Sequence, residues 1–260
     1  MPNGGAIPNG RAIPNGGAIS CERLGEQAMR PIVICHMLSS LDGSLHPSHF
    51  TWSPDGGKAE WSGLYEEVHE GLEPDAWLVG RVTMAEISKV GPRAPARVGP
   101  VQRPCHFAVR EADCFAIALD PSGKLHFAGP KIGGDPVVVL LDRGVADSHL
   151  AELAADGISY IVSETAKIDL AAMLDVLGHE LGIHRLLLEG GAGINGSFFA
   201  AGLVNELSLL LVPALDGRAG HQGFVEAGED GLDGDVQLSF KSCEPLAHGI
   251  LHLRYIVAPR

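Results

Sequence analysis

Glu189-Gly190-Gly191-Ala192-Gly193-Ile194-Asn195-Gly196 stands between the apolar run Leu186-Leu187-Leu188 and a stretch, Ser197 to Ala201, that reads as a short helix. Four glycines in eight residues let backbone N–H groups come close to an anion. The start of a helix adds unpaired donors and the positive end of its macrodipole. The segment is therefore a candidate cradle for the pyrophosphate of a dinucleotide, although a tight strand-to-helix turn with no ligand would use the same glycines. Residues 191–196 match G-x-G-x-x-G, yet the Rossmann fold does not follow. That fingerprint needs a full-length helix and an acidic residue closing the next strand, about 20 residues on. Here the helix is short, and the following strand, Leu207 to Val212, ends in Pro213.

Upstream of this segment, apolar runs alternate with helical spacing. Ile32–Met37, Ala76–Val79, Val137–Leu141 and Ile158–Val162 read as buried strands, short and rich in β-branched residues. Trp61, Leu64, Tyr65, Val68 and Leu72 recur at helical spacing, so a helix is expected over 56–71, with others near 83–90, 147–156 and 169–181. Residues 91–104 carry four prolines and three arginines and read as an exposed loop, with short strands near 105–109 and 114–119. Residues 236–240 and 250–256 alternate with period two, as an antiparallel pair wet on one face does. The pattern predicts an α/β fold: a mostly parallel central sheet, helices on both faces and antiparallel C-terminal strands. Residues 2–19 are three Pro-Asn-Gly hexamers, too few for a solenoid. A low-complexity arm over 1–29 and one folded domain over 30–260 are expected.

Two other turns sit at strand ends. Gly80-Arg81-Val82-Thr83 leads into a helix, with Thr83 as a cap or an anion ligand. Ser40-Leu41-Asp42-Gly43 follows the first strand, where Asp42 would point into the crevice in which open α/β sheets bind ligands; an Asp-Gly turn alone would explain it equally well. Three such turns after three parallel strands share one edge of the sheet, which favours a joint ligand site.

Composition narrows the partners. The 260 residues carry 19 Lys and Arg against 32 Asp and Glu, a formal net charge of −13. Such a surface repels phosphate backbones, so nucleic acid is not an expected partner. Hydrophobic residues make up 45% of the chain, a proportion that supports a packed core. Apolar runs fall short of the roughly 20 residues that span a bilayer, and no leader pattern opens the chain. Five cysteines without C-x-x-C spacing suggest reduced thiols and a cytoplasmic setting. No metal is expected: His46 and His49 flank a proline, and His248 and His252, both placed in a strand, lack a nearby carboxylate pair. There is no G-x-S-x-G and no P-loop lysine, so acyl transfer and nucleotide hydrolysis lack their parts.

Together the motifs 40–43, 75–83, 187–198 and 202–213 resemble, in order and spacing, the RibD C-terminal reductase domain of riboflavin biosynthesis, a relative of dihydrofolate reductase. The resemblance covers about 30–257. It implies a dihydrofolate-reductase-like fold, a homodimer, NADPH as cofactor, and hydride transfer to a C=N or C=O carbon of a small heterocycle. It implies that Gly190, Gly191, Ala192, Gly193, Ile194 and Asn195 hold the cofactor pyrophosphate and that Gly80 and Thr83 touch the cofactor. It also implies that Asp42 and Glu189 face the substrate. Either could supply a proton if burial raised its pKa. Arg81 and Arg143, near strand ends, are candidates for the 2′-phosphate of NADPH.

The departures bear on the substrate. Family members that reduce the riboflavin-pathway pyrimidine phosphate usually carry a cation after the Asp-Gly, where this chain has Ser44. They usually have an arginine before the second strand, where it has 69–74 with Glu70 and Glu73. A phosphate needs fixed cationic donors, and carboxylates repel it. The expected acceptor is therefore an imine, hemiaminal or carbonyl of another small heterocycle, such as one of secondary metabolism. The riboflavin-pathway reduction of 5-amino-6-(5-phosphoribosylamino)uracil stands as the alternative, and a non-catalytic binding protein as a third reading. Trp52, Trp61 and Tyr65 suggest an aromatic or apolar substrate wall, or ordinary helix packing.

Overall fold

In a computed structural model, residues 30–93 and 101–259 are described; the N-terminal hexamers, Cys21 and part of the proline-rich loop lie outside them. Chain order runs β1 (Ile32–Ser40), α1 (Lys58–Gly71), β2 (Ala76–Gly80), α2 (Arg81–Ser88), β3 (Cys105–His106), β4 (Phe115–Leu119), β5 (Lys131–Ile132) and β6 (Asp135–Leu141). It continues through α3 (Asp147–Ala155), β7 (Ser159–Val162), α4 (Leu170–Leu181), β8 (Arg185–Leu188), α5 (Ala192–Ala200), β9 (Glu206–Val212), β10 (Val236–Pro245) and β11 (Leu251–Pro259).

The strands form one sheet in the order β10-β11-β9-β1-β8-β2-β4-β6-β7-β3, with β5 paired to β6. From β9 to β7 every pairing is parallel. β10 and β11 are antiparallel at one edge, and β3 is antiparallel at the other. This is the predicted architecture.

The two-residue period of the strands divides the core. Cys35, Leu78, Ile117, Leu186 and Leu188 face α4 and α5, packing against Leu174, Leu177 and Phe198. The alternate residues Val79, Ala116, Ala118 and Val139 face α2 and α3, against Met84, Leu150 and Leu153. Helices thus cover both faces of the parallel strands, as strands that are apolar on both sides require.

Several boundaries move for local reasons. The helix expected from Ser197 begins at Ala192. Glycine is a poor helix former, but a Cβ on Gly196 would lie 1.9 Å from the carbonyl oxygen of Glu226. Close packing of that segment on α5 demands the glycine and overrides propensity. α2 begins at Arg81 with Gly80 as its N-cap, so Thr83 lies inside the first turn and is not the cap. The strand expected over 105–109 stops at His106, because the Ala108 N–H is taken by Ser159 Oγ at 3.1 Å. His248 is not on a strand with His252: it sits in a 3-10 turn at φ +58°, while His252 is on β11.

Candidate active site

Four adjacent strands, β1, β8, β2 and β4, end at one edge of the sheet, and a cavity of about 660 Å³ opens there. Its wall comes from Met37, Leu38 and Leu45 around β1, Gly80 to Thr83 after β2, Leu119 and Pro121 after β4, and Glu189 with Gly191 to Ile194 after β8. The turns after β2 and β8 join at backbone level, where the Gly80 N–H donates to the Gly190 carbonyl at 2.8 Å. A Cβ on Gly80 would stand 2.8 Å from Ile194 Cγ1, so the close approach of the two turns needs glycine there.

α2 and α5 both start at this wall. The first N–H groups of a helix have no intrahelical acceptor, and here two sets of them meet one cavity. Gly190 has φ +99°, a left-handed conformation that favours glycine. A Cβ added to Gly191 or Gly193 would meet no atom within 4 Å, so these glycines leave open space above the helix start. Room and donors together fit a diphosphate. Asn195 differs from its neighbours: it is buried, and its Nδ2 donates to the Phe224 carbonyl at 2.7 Å. It anchors the loop and does not line the cavity.

Glu189 closes β8 and is gripped from α1. The Tyr65 hydroxyl donates to Glu189 Oε1 at 2.8 Å, and His69 Nδ1 lies 2.8 Å from the same oxygen. Tyr65 and His69 are four residues apart, one helical turn, so α1 presents both to one carboxylate. The Glu189 side chain is 11% exposed, enough to touch the cavity. The hydrogen bond to Glu189 raises the His69 pKa above its ordinary 6.5. Burial first, then Glu189, raise the Tyr65 hydroxyl well above 10; it stays a neutral donor. Behind them His36 stacks on Tyr65 at 4.3 Å. Burial holds His36 down to about 4, so it is a neutral wedge between β1 and α1.

Asp42 departs from expectation. Its carboxylate accepts from the Ser40 hydroxyl at 2.5 Å, the Gly217 N–H at 2.7 Å and the Asp216 N–H at 3.1 Å. These donors, the hydroxyl first, bring its pKa down to about 2, where the sequence reading allowed for one raised by burial. Asp42 is a fixed anion that staples the 216–217 turn to the end of β1, and it does not line the cavity. Ser44 acts alongside it, donating to Asp216 Oδ2 at 2.6 Å.

Among the other expected residues, Arg81, Thr83 and Tyr65 line the cavity. Arg143 sits in the turn after β6, outside the wall, where its carbonyl accepts from Arg103. Trp61 is 3% exposed and packs with Leu210, Val212 and Ile250, so it is core; Trp52 is 84% exposed and also off the wall. Glu70 and Glu73, expected to repel a phosphate, are exposed and away from the cavity. The carboxylates that line it are Glu66, Glu86 and Glu189, with Arg81 as the one Lys or Arg among the described lining residues. The sequence reading missed His69 and His46 as site residues. The i, i+4 step from Tyr65 to His69 was the available signal for the first.

Comparison with known proteins identifies the family and the fold. The family model for the RibD C-terminal domain matches residues 31–252. The 2,5-diamino-6-ribosylamino-4(3H)-pyrimidinone 5′-phosphate reductase of Methanothermobacter thermautotrophicus is 26% identical over 239 residues, covering 86% of this chain and 97% of that protein. A pyrimidine reductase-like protein from Corynebacterium diphtheriae superposes with a TM-score of 0.62 at 19% identity, covering 87% of this chain and 92% of that one. RibD of Acinetobacter baumannii gives a TM-score of 0.59 at 21% identity over 89% of this chain, which spans 58% of that longer protein. The fold is thus dihydrofolate-reductase-like, and the chain belongs to the RibD C-terminal domain family as an oxidoreductase.

Proposed function

We propose that this chain is an NADPH-dependent reductase whose acceptor is a ribosylaminopyrimidine, the substrate class that the name of the archaeal relative gives for that protein. The observation that carries the reading is one cavity where two helix starts, an open glycine turn and a gripped carboxylate meet. Gly191, Ala192 and Gly193 would hold the diphosphate through backbone N–H groups. Arg81, at the start of α2, would meet the 2′-phosphate, with Thr83 beside it. The bound cofactor supplies hydride.

Everything else falls to the chain. In the open-chain form of a ribosylamine the acceptor is a C=N bond, and reduction adds hydride to carbon and a proton to nitrogen. Glu189, the one acidic group that both lines the wall and is held at two points, is positioned at that nitrogen. His69 shares its oxygen and is 18% exposed in its side chain, so it can pass a proton from solvent to the carboxylate. Apolar Met37, Leu38, Leu45 and Leu119 exclude water and orient the ring.

One observation favours a second reading, a small heterocycle without phosphate: Arg81 is the one Lys or Arg among the described lining residues, beside three lining carboxylates, and an acceptor phosphate would have to share it with the cofactor. The test is NADPH oxidation with a ribosylaminopyrimidine, offered with and without its 5′-phosphate. Turnover that requires the phosphate supports the first reading, and equal turnover without it supports the second. No NADPH binding by calorimetry removes both. A homodimer is also part of this proposal, since the edge strand β10 leaves Leu238 and Phe240 52% and 66% exposed. Sedimentation measures it.

A further inference from the structure

On the face of the sheet opposite α4 and α5, three potential metal ligands converge outside the cavity. His149 and Glu152 are one turn apart on α3, and His126 comes from the segment after β4. One ligand atom from each lies within 4.8 Å of the other two. His126 Nδ1 and Glu152 Oε1 are already 2.6 Å apart. We infer that His126, His149 and Glu152 form a binding site for a divalent transition metal of the zinc type.

A second observation points the same way. His149 is 8% exposed, and its Nε2 has no hydrogen-bond partner among the described residues. A buried polar atom left unpaired costs ~1–3 kcal/mol, and a metal ion is a partner for an imidazole nitrogen.

The turn around it is shaped for the ring. Gly123 has φ +60°, and a Cβ there would stand 2.9 Å from His149 Cδ2, the carbon bonded to Nε2. The imidazole edge therefore lies where a side chain would otherwise be. The Asp120 carboxylate is held by the N–H groups of Lys124 and Leu125 at 2.6 and 2.7 Å. It fixes this turn and adds negative charge near His149. Arg93 hydrogen-bonds Asp156 at 2.8 Å and forms a longer ion pair with Glu152 Oε1 at 4.0 Å, so an ion at Glu152 would leave Arg93 held by Asp156.

Two imidazoles and one carboxylate suit zinc. At metal–ligand distances of about 2.0–2.1 Å, tetrahedral ligands stand roughly 3.3 Å apart. The His126–Glu152 pair must open slightly and His149 must move in. The ion would tie α3 to the segment between β4 and β5. None of the three ligands lines the cavity, so the ion is separate from the reduction site; water would complete its four positions.

The full-length protein, stripped with chelator, is titrated with Zn²⁺ against a chromophoric indicator. One tight equivalent per chain is expected. His149→Gln, Glu152→Gln and His126→Gln each weaken it by more than the ~10–100-fold that even outer partners of a metal site cost. Co²⁺ in place of Zn²⁺ should give the visible absorption of a tetrahedral site in the parent, lost in the variants. Melting temperature should rise with Zn²⁺ in the parent alone. Should His149→Gln not fold, His126→Gln, on the wetter rim, carries the test. Absence of a tight equivalent overturns the inference, and so does a tight equivalent that survives all folded variants, which would place zinc on surface imidazoles such as His46 and His49.

Discussion

Replacing Gly193 with aspartate tests the electrostatics of the glycine turn directly. Gly193 is the second residue of α5, and a Cβ there meets no atom within 4 Å, so the folded state accepts the side chain. An acid in the first turn of a helix is stabilising by about 0.3–1 kcal/mol, and exchanging a helical glycine for aspartate, itself a weak helix former, adds about 0.3 kcal/mol more. The melting temperature should therefore hold or rise. Cofactor binding should move the other way. A side-chain carboxylate would stand about 5 Å from a diphosphate bound on the N–H groups of this turn. At that distance each unit of like charge costs about 3 kcal/mol at an effective dielectric of ~20 and about 1 kcal/mol in bulk water. Two phosphate charges give roughly 2–7 kcal/mol, hence NADPH affinity at least ~30-fold weaker by calorimetry at low salt. Gly193→Ala adds a methyl and no charge, and should cost about tenfold at most. Unchanged affinity in Gly193→Asp refutes the assignment of this turn to the cofactor. Equal losses in the aspartate and alanine variants refute the electrostatic account in favour of a steric one.

Glu189→Gln keeps the Tyr65 contact and removes the proton. Turnover should fall by about 10²–10⁴-fold while calorimetry shows NADPH affinity unchanged; a drop in affinity of similar size would make Glu189 a binding group. His69 has a raised pKa through Glu189, so it favours the folded state fully below about pH 6.5, and that contribution is lost as pH rises through the raised value. The stability gap between the parent and His69→Gln in urea should accordingly be largest in mild acid and shrink toward alkaline pH; a gap that grows with pH would reverse the assignment. Trp61→Ala should cost about 3–5 kcal/mol of stability as a core deletion, whereas Trp52→Ala should stay within about 0.5 kcal/mol and leave KM unchanged. A raised KM in Trp52→Ala would restore that residue to the substrate wall.

The order of strands and helices, and the turns after β2 and β8 that meet at the cavity, were legible in the sequence; the third turn, 40–43, was expected there too but does not line it. The reason is local: a strand apolar on both faces has to be buried between helices, and glycine at a strand end marks where backbone must approach backbone. Gly80, Gly191, Thr83, Arg81 and Glu189 follow from that reading and the family motifs. What became of the acidic and aromatic residues was not legible. Asp42 and Glu189 both end parallel strands, yet Asp42 is drawn to the N–H groups of 216–217, more than 170 residues away in the chain, while Glu189 meets Tyr65 and His69. Trp61 and Tyr65 share a helix, but the first turns toward β9 and the second toward β8. Sequence fixes which residues lie on one helix face or one strand edge; which partner each face meets depends on contacts distant in the chain, and only the packed sheet decides them.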